Sequence, residues 1–160
     1  MAAAAPPGAD ASARRVDFYV LSGTDPRVRL KLACRLAEKA YLAGQRVFIW
    51  SDDAPGLASM DELLWSFADR SFVPHELYTE AQQWLETPVL LSCGPQPSTA
   101  FEVLINLGST VPASAAQARR VIELIDADEA RRRAGRERFR HYRGAGLTPQ
   151  THQIVADETP

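Results

Sequence analysis

The sequence predicts an α/β fold, one domain whose helices cover a mostly parallel sheet of about five strands, and three observations predict it. Five short apolar runs rich in β-branched and aromatic residues read as buried strands. The first two are each followed by a segment whose apolar residues recur at helical spacing, as in parallel strands joined by crossover helices. The chain has 160 residues, 46% hydrophobic and 24% charged, which suits a single globular domain with a real core.

The first strand is residues 16–21, V-D-F-Y-V-L. Asp25 then reads as a helix N-cap with Pro26 at the first helical position, and Val28, Leu32, Leu36 and Ala40 keep helical spacing until Gly44 ends the element. Residues 46–50 make the second strand. The turn at residues 52–55 leads into a helix through residues 60–67, and residues 88–92 resume with V-L-L-S as the third strand. Residues 103–107 and 121–125 are the fourth and fifth. The connections at 93–100 and 108–118 hold Pro95, Pro97 and Pro112 among small polar residues and read as loops.

The fifth strand feeds directly into residues 126–143, D-A-D-E-A-R-R-R-A-G-R-E-R-F-R-H-Y-R, which read as one helix. Asp126 and Glu129 stand at capping-box spacing, arginines crowd toward the carboxyl end where the helix dipole favours cations, and Gly144 supplies a stop. At helical spacing Arg132, Arg136, Arg140 and Arg143 fall on one stripe, with Gly135, Phe139 and Tyr142 on the neighbouring one. An arginine row beside an aromatic row is a candidate binding surface; the alternative is a solvated basic face whose aromatics pack on the core. Between residues 131 and 143 seven arginines stand against one glutamate, whereas the whole chain carries a net charge of −2. Basicity so concentrated suits one acidic segment of a protein partner and argues against bulk or tight direct nucleic-acid binding.

A second segment stands out, residues 60–75, M-D-E-L-L-W-S-F-A-D-R-S-F-V-P-H. Leu63, Leu64 and Phe67 can pack inward, but Trp65, Phe72, Val73 and Pro74 make more apolar surface than a short element easily hides. They read either as core or as an anchor patch for a partner, the role in which tryptophan and phenylalanine recur.

Signals for chemistry are weak. The turn Ser22-Gly23-Thr24-Asp25 after the first strand lacks the three glycines of a dinucleotide fingerprint and carries an aspartate that would repel phosphate. Asp52 and Asp53 stand where a ribose-binding acid could sit, although turn and cap roles account for them. His75, His141 and His152 have no nucleophile or carboxylate at motif spacing, and no G-x-S-x-G, P-loop, H-E-x-x-H or C-x-x-C occurs. Cys34 and Cys93 lie in apolar runs without metal-ligand spacing, so a reduced, cytoplasmic protein with no metal or cofactor is expected. The Ala/Pro/Gly-rich start lacks the basic and long apolar regions of a signal peptide, and no run has the roughly 18 apolar residues of a membrane span. A disordered extension is expected at residues 1–14, the domain at 15–154 and a loose acidic tail at 155–160.

Four separated blocks carry a resemblance: F-Y-V-L; A-C-R-L-A-E-K-A-Y-x-x-G-x-R-V; D-E-L-L-W-x-F-x-x-x-S-F-V-P-H; and R-E-R-F-R-H-Y-R-x-A-G. In this order, over residues 16–146, the chain resembles the chi subunits of bacterial DNA polymerase III. That resemblance implies a three-layer Rossmann-like domain and a non-catalytic accessory subunit. It implies pairing with the psi subunit, which tethers chi to the clamp loader, and binding of the acidic C-terminal tail of the single-stranded DNA-binding protein. It also implies a helicase competing with psi for one surface. Carried over by position, the tail site falls on Ile125, Arg136, Phe139 and Arg140 with Arg143 nearby. The psi surface falls on Trp65 and Phe72, beside Val73 and Pro74. Phe139 stands where a tyrosine of the family would add a hydroxyl donor. Residues 76–87 are bulkier, with Tyr78 and Trp84, than the small-residue loop the resemblance implies. The alternative is a small α/β nucleotide-binding enzyme that shares only the architecture, against which the missing glycine pattern speaks.

Overall fold

The computed structural model describes residues 14–79, 86–94, 96–97 and 100–154. Trp84, Pro95, the acidic tail and all but the last residue of the expected N-terminal extension lie outside them. The expected α/β fold is present, with seven parallel strands in place of about five. In chain order the elements are β1 (Arg15–Leu21), α1 (Pro26–Leu42), β2 (Val47–Trp50), α2 (Ala54–Ser66), β3 (His75–Leu77), β4 (Val89–Ser92) and β5 (Val103–Asn106). A 3-10 turn at Ala113–Gln117 precedes β6 (Arg120–Ile125), α3 (Glu129–Gly144) and β7 (Gln150–Ile154). The sheet order is β3-β4-β2-β5-β6-β1-β7.

The two strands that pattern reading missed, β3 and β7, are the two edges of the sheet. An edge strand has less apolar surface to bury, so H-E-L and Q-T-H-Q-I carry no hydrophobic run. The five central strands are buried on both faces, and their side chains divide between two cores by alternation. Leu21, Ile49, Leu91, Ile105 and Leu124 join one core under α1 and α2, and Val16, Phe18, Phe48, Leu104, Val121 and Ile125 join the other, under α3. Full burial of one such side chain contributes about 1.5–3 kcal/mol, which makes these alternating rows the main support of the three layers.

The helix starts explain the crossovers. The Asp25 carboxylate accepts from the Arg27 amide at 2.9 Å, Pro26 follows, and Gly44 takes the left-handed φ of 80° that ends the element. The cap of α3 lies two residues later than expected. Asp128, not Asp126, accepts from the Arg131 amide at 3.0 Å, because Asp126 is buried and spends its carboxylate on the Arg131 side chain at 2.8 and 2.9 Å. The stop also shifts. Gly144 is the last helical residue, and Gly146, with φ 88°, makes the left-handed turn.

Candidate functional site

A cleft of about 370 Å³ opens between α3 and the β7 edge. Its floor follows from strand register. Val20 of β1 pairs with Ile125 of β6 on one side and with Gln153 of β7 on the other, while Phe18 pairs with Thr151. All five point to the α3 side and line the cleft. Thr151 and Gln153 are exposed there. The wall is the stripe Arg132, Gly135, Arg136 and Phe139 of α3. Phe139 is half-buried with its ring 5.2 Å from that of Phe18, and Arg132 and Arg136 are exposed at the rim. An apolar floor under two exposed guanidiniums can hold an apolar side chain next to a carboxylate.

Three of the expected residues, Ile125, Arg136 and Phe139, thus meet in one cleft. Arg140 and Arg143 are exposed on α3 but do not line it, and Arg140 is ion-paired with Glu137. Phe18, Val20, Thr151 and Gln153 were not expected at the site from the sequence, and Arg132 was expected on the basic stripe but not in the tail site. Arg132 was legible there as the first member of the arginine stripe; the β7 residues carried no signal.

The rotation of α3 that aims this stripe is set from below. Glu123, in the middle of β6 and fully buried, accepts from Arg138 Nε at 2.8 Å, from the Tyr142 hydroxyl at 2.7 Å and from Asn106 Nδ2 at 2.9 Å. Arg138 also donates to the Ser109 carbonyl at 3.1 Å. It belongs to the interior and not to the basic face. Burial pushes the Glu123 carboxyl above its usual range while Arg138, Tyr142 and Asn106 pull it back, and burial together with Glu123 pushes the Tyr142 hydroxyl up. The helix also comes close to the sheet, because Gly135 presents no side chain to Ile125. Glycine inside a helix costs about 0.5–1 kcal/mol relative to alanine, so a contact that only glycine permits is the reason for its presence.

The second segment is equally clear. Leu57, Met60, Leu63 and Leu64 turn the apolar face of α2 inward, and Phe67 closes it. Trp65 is 59% exposed, Phe72 59% and Leu77 46%, with the Trp65 and Phe72 rings 5.5 Å apart. Val73 departs from the expectation. It is fully buried in the main core because the chain there alternates outward and inward, and Pro74 is half-buried. His75 lies beneath Trp65, ring to ring at 4.6 Å, held by the Val73 carbonyl at 2.6 Å and the Asp61 carbonyl at 3.1 Å. It is a support for the tryptophan, with no nucleophile among its bonded partners.

At the carboxyl ends of the strands, where folds of this class hold ligands, internal bonds occupy several of the polar groups. Arg29 of α1 donates to the Leu124 and Leu107 carbonyls at 2.9 and 3.1 Å; burial and the neighbouring Arg131 pull its pKa down to about 10. Asp52 accepts from the Ser109 amide and hydroxyl. The Gly23 carbonyl accepts from the Ala127 amide at 2.8 Å. Asp53 is the α2 N-cap. Cys34 is buried, its thiol pushed up to about 12, and Cys93 is exposed. Among the described residues no cluster of three or more His, Cys, Asp or Glu could hold a metal, and no helix is long and apolar enough to cross a membrane.

Residues 14–150 match the model of the family described as DNA polymerase III chi subunit, HolC. The DNA polymerase III subunit chi of Pseudomonas aeruginosa is 41% identical over 140 residues, which span 88% of this chain and 96% of the relative. That of Haemophilus influenzae is 29% identical over 143 residues, 89% of this chain and 99% of the relative. That of Escherichia coli is 27% identical over 121 residues, 76% and 82% of the two chains.

Proposed function

The chain belongs to the family of DNA polymerase III chi subunits, and we propose that it is a non-catalytic replication adaptor that grips the acidic C-terminal tail of a single-stranded DNA-binding protein. The observation that carries this reading is the cleft, in which Phe18, Val20 and Ile125 of the floor and Phe139 of the wall offer apolar surface beside Arg132 and Arg136. A peptide that ends in an aromatic residue carries its ring and its terminal carboxylate on the same Cα, and the cleft presents the complements of both. Acidic residues further up such a tail meet Arg140 and Arg143. Salt screens these outer contacts, and it screens the Arg136 contact less once a bound peptide covers it against the apolar floor.

The exposed Trp65, Phe72 and Leu77, with Pro74 at their margin, form the surface on which a psi subunit, or a helicase competing with it, would sit. Psi tethers the adaptor to the clamp loader, so the two sites together would link the polymerase to coated single strands. Isothermal titration with an acidic, phenylalanine-ended peptide as free acid and as C-terminal amide tests the first site. The amide is expected to bind about tenfold or more weaker, the worth of a hydrogen bond to a charged group. Equal binding of both forms would overturn the assignment.

A further inference from the structure

Gly135 faces the one side chain in the cleft floor that belongs to β6. A Cβ built on it would lie 2.2 Å from Ile125 Cδ1, closer than atoms can pack, and 3.0 Å from Cγ1, a tight contact. Ile125 is 8% exposed and lines the cleft. On the inner side Val16, Val121 and Tyr142 of the same core are all within 1% of full burial. A methyl group at residue 135 therefore displaces the Ile125 side chain, and the open cleft is the side without packed core neighbours.

We infer that the Gly135–Ile125 pair determines the specificity of the cleft: the missing side chain at 135 lets Ile125 lie under α3, and so keeps the apolar slot wide enough for an aromatic residue at the end of the bound segment. This rests on the tail-binding reading above. It adds the feature of the partner that the slot measures, the size of the last side chain. Neither residue donates a hydrogen bond or carries charge, so the pair acts through shape and leaves the arginine contacts as they are.

The experiment measures the affinity of acidic peptides ending in Phe and in Ala for three proteins: the unaltered chain, Gly135→Ala, and Gly135→Ala combined with Ile125→Val. The single variant is expected to lose tenfold or more for the Phe-ended peptide and about twofold or less for the Ala-ended one, since slot contacts of this size discriminate by about 10–200-fold. Ile125→Val removes Cδ1 and leaves Cγ1 at 3.0 Å, which a shift of a few tenths of an ångström relieves, so the double variant recovers most of the Phe-ended affinity. Melting curves followed by circular dichroism confirm that all three proteins are folded at the binding temperature. A Gly135→Ala protein that prefers Phe over Ala as strongly as the unaltered chain overturns the inference, as does a folded double variant no better than the single one. Failure of the unaltered chain to bind the Phe-ended peptide sinks the tail-binding reading itself, a result distinct from both.

Discussion

A guanidinium presents a planar fork of donors that can hold a carboxylate through two parallel bonds, which the single ammonium of lysine cannot reproduce. The proposed carboxylate contact falls on Arg136, which lines the cleft with Ile125 and Phe139. Arg136→Ala is expected to weaken binding of a free-acid tail peptide ten- to a hundredfold, following the roughly 1.5–3 kcal/mol of a hydrogen bond to a charged group. Arg140→Ala costs less. That side chain lies about 40° further round the helix, outside the cleft lining, and already pairs with Glu137. Calorimetry on both variants checks the order, and amidating the peptide should add little to Arg136→Ala, because the two changes remove the same contact. An Arg140→Ala loss larger than that of Arg136→Ala would place the carboxylate elsewhere. The seven arginines of this helix look alike in sequence, yet Arg138 is interior. Its spacing to Gly135 and Tyr142, three and four residues away, and the lone Glu123 inside an apolar strand were the signals that could have found it.

Elements buried on both faces were legible because each writes its burial into an apolar run, and β3 and β7 were not because an edge strand need not. The loss mattered at the cleft. Thr151 and Gln153, which complete its floor, sit on β7, so the sequence exposed the α3 wall and hid the opposite side. For α2 the helical pattern settled which leucines turn inward, while the side taken by Trp65, Phe72 and Val73 depended on the path of the chain after the helix. Two of the three proved exposed and one buried. Trp65→Ala is therefore expected to leave the melting temperature within a few degrees of the unaltered chain and to abolish co-purification of a psi subunit, as truncation of a central anchor costs about 2 kcal/mol or more. A sharp drop in melting temperature with partner binding retained would make Trp65 a structural residue of the α2–β3 turn.

The order of strands in the sheet could not be read locally, since it depends on which crossovers pack. β1, first in sequence, lies between β6 and β7, and this arrangement gathers cationic side chains around one buried carboxylate at its start. Asp17 is fully buried and accepts from Arg120 at 2.8 Å and from His152 of β7 at 2.9 Å, with Arg15 at 2.9 Å. Asp126 makes the matching clamp at the other end, where α3 begins. Burial alone would raise both carboxyl pKa values, but the hydrogen bonds and the arginine charges outweigh it, and both are held below the usual 3.8. A depressed folded-state value means that the unfolded chain binds protons first, so these carboxylates add their full stability above the unfolded value. That stability is lost as the pH falls below 3.8 and through the folded values. Asp17→Asn and Asp126→Asn are each expected to lower the unfolding free energy at pH 7 by about 1–3 kcal/mol, the cost of removing the charged partner from a buried bond. The deficit should hold level down to about pH 3.8 and narrow below it, since acid there neutralises the same carboxylates in the unaltered chain. Urea titrations at a series of pH values from 7 to below 3.8 measure it. A deficit that stays constant across that range would mean that packing, and not the ionised carboxylate, is what these positions contribute.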